Sequence, residues 1–360
     1  MNARCIRGLL LLTLSAVLAG CGSDAAAPGP TQPTRTWEMG FYFTPPRMDP
    51  ATALRNIDLF SSRAELVVLH EELPWDQLLA GADLDTIVEG KAGLVAYLRN
   101  RGLRVFFMAD LTDGLSRGEE PPLLRAAGRS ITESSVQLLY RQYVRAFVAR
   151  FQPDYIGLTA ETNLVRQAAA PAVYAAMVTA ANAAAAELVT DGATAPLLIS
   201  VQVETAWGRL GGAGSYVGIE QDLADFPFTQ MLGLSSYPYF GHAQPEDIPD
   251  DYYARLLDGR TLPVIVCEGG WGSASLAPIT SSPELQARYL TRQAVLLDSV
   301  DARAAVQTLF TDLDLDSLTD PYPVNLPLFG SLGLMQMVGD AFVPKPALAV
   351  WDGLFARRRF

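Results

Sequence analysis

The chain has 360 residues, 49% of them apolar, and 27 Lys and Arg against 39 Asp and Glu give a formal charge of −12. So acidic a balance excludes an ordinary nucleic-acid binder, because phosphate recognition needs clustered Lys and Arg. Two histidines, His70 and His242, and three cysteines are too few for the usual transition-metal ligand sets, so no metal and no cofactor is expected.

Residues 1–20 read as a targeting segment. Arg4 and Arg7 precede an apolar stretch from Leu9 to Leu18. Leu18-Ala19-Gly20-Cys21 then resembles a bacterial lipoprotein cleavage box, which makes residues 1–20 a lipoprotein signal peptide and Cys21 the lipid-bearing residue. Gly22, where an aspartate would favour retention, fits an outer-membrane or surface location, with the chain exported and lipid-anchored in the cell envelope. Residues 21–35 are rich in Gly, Ala, Pro, Ser and Thr and read as a flexible tether, having too little apolar surface to order themselves. With Cys5 removed and Cys21 lipidated, only Cys267 remains, so no internal disulfide is expected. The cleavage deletes Arg4 and Arg7 and no acid, and the formal charge moves from −12 to −14.

From Trp37 onward short apolar runs alternate with helical patterns. The runs predict strands at Met39–Phe43, Leu66–His70, Val105–Asp110, Tyr155–Ala160, Leu197–Val203, Met231–Ser236, Val264–Cys267 and Ala305–Phe310. Most lack polar alternation, the mark of parallel strands buried on both faces. Between them, helical spacing appears at 88–101, 136–151, 171–189, 285–297 and 346–355, and Pro171 suits a helix start. Eight strands alternating with helices over residues 36–360 predict one (β/α)₈ barrel of the TIM type, a single monomeric domain. A doubly wound sheet is the rival fold, but no glycine-rich turn follows the first strand.

In such a barrel, chemistry collects where strands end. Those ends carry Phe43 and Thr44, then His70, Glu71 and Glu72, Asp110, Glu161 and Asn163, Gln202 and Glu204, Tyr237, Glu268 and Trp271, and Asp312. A ring of carboxylates, amides and aromatics suits a neutral polyhydroxy ligand. Glu161 closes the fourth run and Glu268 the seventh. Two carboxylates facing one cleft are the minimum equipment for cleaving a glycosidic bond. Asp312-Leu-Asp314-Leu-Asp316 places oxygens at alternate positions, as calcium sites do, but lacks the glycine and distal glutamate of a calcium loop and reads as a solvated acidic loop.

Two segments carry a more specific resemblance. Leu232-Gly-Leu-Ser-Ser-Tyr237-Pro-Tyr239 resembles the sixth-strand segment of glycoside hydrolase clan A barrels, and Cys267-Glu268-Gly-Gly-Trp271 resembles the seventh. Leu69-His70-Glu-Glu-Leu-Pro-Trp75 is similar to galactanase-like barrels, and within the clan the family 53 endo-beta-1,4-galactanases are nearest in motif. The resemblance implies a retaining glycoside hydrolase acting on a polysaccharide or oligosaccharide, with Glu161 as acid/base, Glu268 as nucleophile, and Tyr237 bonded to the nucleophile. His70, Asp110, Asn163, Trp75 and Trp271 would line the sugar subsites. Two positions depart from the clan pattern. Ala160 stands where an asparagine usually precedes the acid/base, and the eighth strand lacks a tryptophan, for which Phe310 is the substitute on offer. They leave open a second reading, a surface lipoprotein that binds glycan without cutting it.

Overall fold

The computed structural model describes residues 33–318 and 322–360. The expected signal peptide, Cys21 and the tether up to residue 32 lie outside the described residues.

Eight parallel strands close into a barrel: β1 (Glu38–Tyr42), β2 (Leu66–Glu72), β3 (Arg104–Asp110), β4 (Tyr155–Gly157), β5 (Leu197–Gln202), β6 (Met231–Ser236), β7 (Val264–Gly269) and β8 (Ala304–Gln307). Each pairs with the next, and β8 returns to β1 through Ala304–Gln307 opposite Glu38–Phe41. These are the eight strands expected from the sequence, with ends displaced by at most three residues. The fourth is the shortest, and its glycine is forced: a Cβ on Gly157 would lie 2.3 Å from Met108 Sδ, which fills the barrel at that level.

Alternation along each strand separates two cores. Tyr42, Leu66, Val68, Phe106, Met108, Leu198, Ile265, Cys267 and Val306 pack inside the barrel. Their neighbours, such as Val67, Phe107, Ile199 and Val266, face the helical shell. Phe147 of the helix Ser134–Phe151 stacks on Phe107 with ring centroids 3.9 Å apart. Burying side chains of this size contributes roughly 1.5–3 kcal/mol each. The helix Pro171–Thr190 has the length and hydropathy to cross a bilayer. Its Met177, Ala180, Ala181 and Ala184 are buried in the helical shell, so here it is a core helix.

The folded unit begins before residue 36. Thr34 and Arg35, expected in the tether, pair with Arg358 and Arg359. Arg35 is buried and bonds Glu65 at 2.8 Å. A buried arginine with a carboxylate partner is held by the fold, which local composition does not reveal.

Candidate active site

Strand parity explains which side chains meet at the mouth. Residues two or four beyond an interior residue on a straight strand also face inward. His70 follows Leu66 and Val68, Asp110 follows Phe106 and Met108, and Ser235 and Tyr237 follow Met231. Glu268 breaks the parity, because Cys267 before it already points inward. A register shift resolves this: Leu234 pairs with Val266 and Ser235 with Glu268, so Cys267 is skipped. Such a bulge re-aims a side chain. The following Gly269 is required as well, since a Cβ there would meet the Ser236 carbonyl oxygen at 2.4 Å.

Glu161 reaches the mouth by another device. It sits in the left-handed region, φ 48°, at the start of the helix Thr162–Ala168. For a residue other than glycine this conformation costs on the order of 1–3 kcal/mol, and such strain concentrates at functional sites. Ser200 Oγ accepts from the Glu161 amide at 2.9 Å and so anchors the turn.

The two glutamates are joined by a continuous chain of polar contacts. Glu161 Oε1 accepts from Ser235 Oγ at 2.6 Å, and its Oε2 accepts from Arg117 Nε at 2.7 Å. Arg117, itself buried, also pairs with Asp110. Asp110 Oδ2 lies 2.7 Å from His70 Nε2, and His70 Nδ1 lies 3.3 Å from the Tyr42 hydroxyl. Tyr42 donates to Glu268 Oε2 at 3.1 Å, and Tyr237 donates to Glu268 Oε1 at 2.7 Å while touching Thr308 Oγ1 at 2.9 Å.

The charges follow from this geometry. Burial and the nearby charge of Glu161 raise the Glu268 carboxyl above its usual range, against the opposing pull of Arg117, His70 and the Tyr237 hydroxyl. Burial would also raise Asp110, but Arg117 and His70 outweigh it and hold that carboxyl well below its usual range. Burial disfavours the charged form of His70, yet the hydrogen bond and charge of Asp110 prevail and its pKa lies above the ordinary histidine value. Burial and Glu268 push the Tyr42 and Tyr237 phenols far up, so both remain donors.

Of the expected site residues, Glu161, Glu268, Tyr237, His70 and Asp110 gather here. Three others do not. Trp75 is fully buried beneath the β2 loop, and Trp271 is fully buried, its Nε1 donating to Ser281 Oγ at 2.9 Å. Asn163 is spent on backbone: its Nδ2 donates to the Gln202 carbonyl at 2.8 Å and its Oδ1 accepts from Gln202 N at 2.7 Å. None of the three is free to touch a ligand. Phe310 is likewise buried, edge-on to Phe41 at 5.1 Å, so it is no sugar floor. Ala160 faces the barrel interior. The aromatic wall comes instead from Phe240 and Phe329, 6.0 Å apart.

Arg117, Ser235, Tyr42 and Thr308 were not anticipated. Only Arg117 left a trace: a mouth holding several buried carboxylates needs a counter-charge, and Arg117 lies in the loop after Asp110. Its segment Gly114-Leu-Ser-Arg-Gly118 has the spelling of a nucleophile elbow, but forms a turn, with Ser116 N donating to Asp113, rather than a strand-to-helix junction. Among the described residues no cluster suits a metal ion. In the acidic loop, Asp312 pairs with Lys345 at 2.7 Å and Asp314 with Arg47 at 2.6 Å.

The chain is thus a (β/α)₈ barrel whose acidic and phenolic side chains collect at the C-terminal mouth of the strands. No protein-family model matches the sequence, and no curated protein matches it. Solved structures do. An exo-beta-1,4-mannosidase from Opitutaceae bacterium strain TAV5 superposes with a TM-score of 0.66 at 16% identity, over 90% of this chain and 60% of its own. GH5_18 from Streptomyces cattleya, in complex with GlcNAc, gives 0.62 at 18%, over 90% and 80%. Xylanase B from Clostridium stercorarium F9 gives 0.55 at 15%, over 89% and 97%. At these identities the likeness is one of fold. The chain spans 60% of the mannosidase's length, less than two thirds.

Proposed function

We propose that this protein is a retaining glycoside hydrolase of the clan A type, held at the cell envelope by lipid on Cys21. The observation that carries the reading is the pair Glu161 and Glu268, brought into one cavity with Tyr237 bonded to Glu268. The similar folds named above belong to proteins that act on mannosides and xylan, and this adds support.

In the proposed reaction Glu268, as carboxylate, attacks the anomeric carbon while Glu161 gives its proton to the departing glycosidic oxygen. A glycosyl ester on Glu268 results. Glu161 then takes a proton from water, whose oxygen attacks the same carbon and releases Glu268. Tyr42 and Tyr237 hold both oxygens of Glu268, orienting the attacking carboxylate. Mannan, xylan and beta-1,4-galactan are the substrates to try first, galactan on the strength of the sequence motifs. Glu161→Gln and Glu268→Gln should each lower turnover by several orders of magnitude with little change in unfolding midpoint. Near-full activity in either variant would sink the assignment.

A second reading is favoured by one contact. Glu161 Oε2 already accepts from the charged Arg117, a pairing that favours the carboxylate over the acid the reaction needs. With Ala160 in place of asparagine, this suits a barrel that binds glycan without cutting it. Saturable binding by wild type and Glu268→Gln alike, with no product from either, would select it.

A further inference from the structure

The order of strands around the barrel fixes which loops face each other across the mouth. The loop after β3 and the loop after β8 are joined by Asn325 Nδ2 donating to the Leu115 carbonyl at 2.8 Å. On a closed ring of eight strands this bond is a chord. The ends of β1 and β2 lie on one side of it, and those of β4 and β5 on the other.

The cavities respect the chord. One, of about 240 Å³, is lined by Tyr42, Thr44, His70 and Glu72 from the β1 and β2 ends. The other, of about 560 Å³, is lined by Glu161, Leu164, Gln202 and Leu210 from the β4 and β5 side. Leu115, Arg117, Tyr237, Glu268 and Phe329 border both and form the shared wall.

On the hydrolase reading, the leaving group lies beside Glu161, in the larger space. The sugar whose anomeric carbon meets Glu268 must then occupy the smaller one. That volume falls below the ~300–1,000 Å³ of sites that take drug-sized ligands, so it suits a short terminal piece of glycan. A continuous polymer would have to thread beneath the Leu115–Asn325 bridge, whereas a chain end can slide under it.

We propose that the protein acts on the non-reducing end of a neutral glycan, and that the Leu115–Asn325 bridge is the specificity determinant that shuts out internal segments. This inference rests on the glycan-directed reading of the same cleft.

The test uses purified protein and hexasaccharides of beta-1,4-linked galactose, mannose, glucose and xylose, each with a fluorophore on its reducing end. Stepwise shortening of the labelled chain by one or two sugars, with the viscosity of the matching polymer unchanged, is the expected result. Labelled di- and trisaccharides among the first products, or a fall in viscosity, would overturn the chain-end assignment and leave the hydrolase intact. Asn325→Ala should add internal cuts; an unchanged product pattern would remove the bridge from the explanation. If no probe is cut, the hydrolase reading fails, and the chain-end reading is then decided by affinity. Capping the non-reducing galactose or mannose as a 4,6-acetal should weaken binding at least tenfold. Equal affinity for capped and free hexasaccharides, or no binding of any probe, overturns it.

Discussion

Arg117 Nε donates to Glu161 Oε2 across 2.7 Å, and the same guanidinium pairs with Asp110, so one buried cation serves two buried carboxylates, one at the end of β3 and one at the start of the helix that follows β4. Buried charges persist only when paired, because desolvation costs several kcal/mol per ion. The planar, always-charged guanidinium can bond both acids at once. Through Asp110 and His70 its influence extends to Tyr42 and from there to Glu268.

Arg117→Gln leaves both carboxylates without their cation. Removing one partner of a buried pair costs about 3–5 kcal/mol. Urea unfolding should show a loss of that size at neutral pH, and the loss should shrink in acid as Asp110, whose carboxyl Arg117 helps to hold low, takes up its proton. A change below 1 kcal/mol would mean that water, not Arg117, solvates these acids.

Tyr237→Phe removes a hydroxyl that donates to Glu268 at 2.7 Å and helps to hold its pKa down. Without it the Glu268 carboxyl binds its proton more tightly. If Glu268 is the nucleophile, the acid limb of the kcat/KM profile moves to higher pH and kcat falls by about tenfold or more. A profile superimposable on wild type would take Tyr237 out of contact with the reacting group.

Glu204 offers a stability test that is independent of activity. It is fully buried, accepting from Tyr252 Oη at 2.8 Å and from Tyr237 N at 3.0 Å, and burial pushes its pKa up to about 7, more than those bonds pull it down. The folded state therefore binds this proton more tightly than the unfolded chain, where the carboxyl has its ordinary value near 4.5. The associated stability is fully present below about pH 4.5 and is lost as pH rises through 7, amounting to on the order of 3 kcal/mol. Glu204→Gln should flatten the fall in unfolding free energy between those limits. A slope equal to wild type would place the titration elsewhere.

Trp75→Ala and Trp271→Ala distinguish packing from ligand contact. Both indoles are fully buried, so each truncation should cost roughly 3–5 kcal/mol. Affinity for any glycan that the wild type binds should stay within about twofold in the folded protein. A tenfold weakening without loss of stability would restore these residues to the subsites.

The sequence by itself determined the barrel and part of its mouth. Parallel strands covered on both faces must be apolar throughout, so runs such as Leu232–Leu234 and Val264–Cys267 read as strands without any partner being known. Once eight were counted, the residue ending each run was placed at the mouth, which is how Glu161, Glu268, Tyr237, His70 and Asp110 were legible. What lay beyond a strand's own pattern was not. Trp75, Trp271 and Asn163 follow strands as a site residue would, yet turn into the core, because the loop path after the last paired residue is free of strand parity. The bulge at Cys267 that aims Glu268, the Arg117 bond to Glu161 and the Asn325 bridge to Leu115 span 33, 44 and 210 residues of chain. Contacts at such separations depend on how loops of different strands settle against one another, and no local periodicity encodes that. Tertiary structure alone decided which carboxylates Arg117 pairs with, which hydroxyls hold Glu268, and how much of the mouth stays open to a ligand.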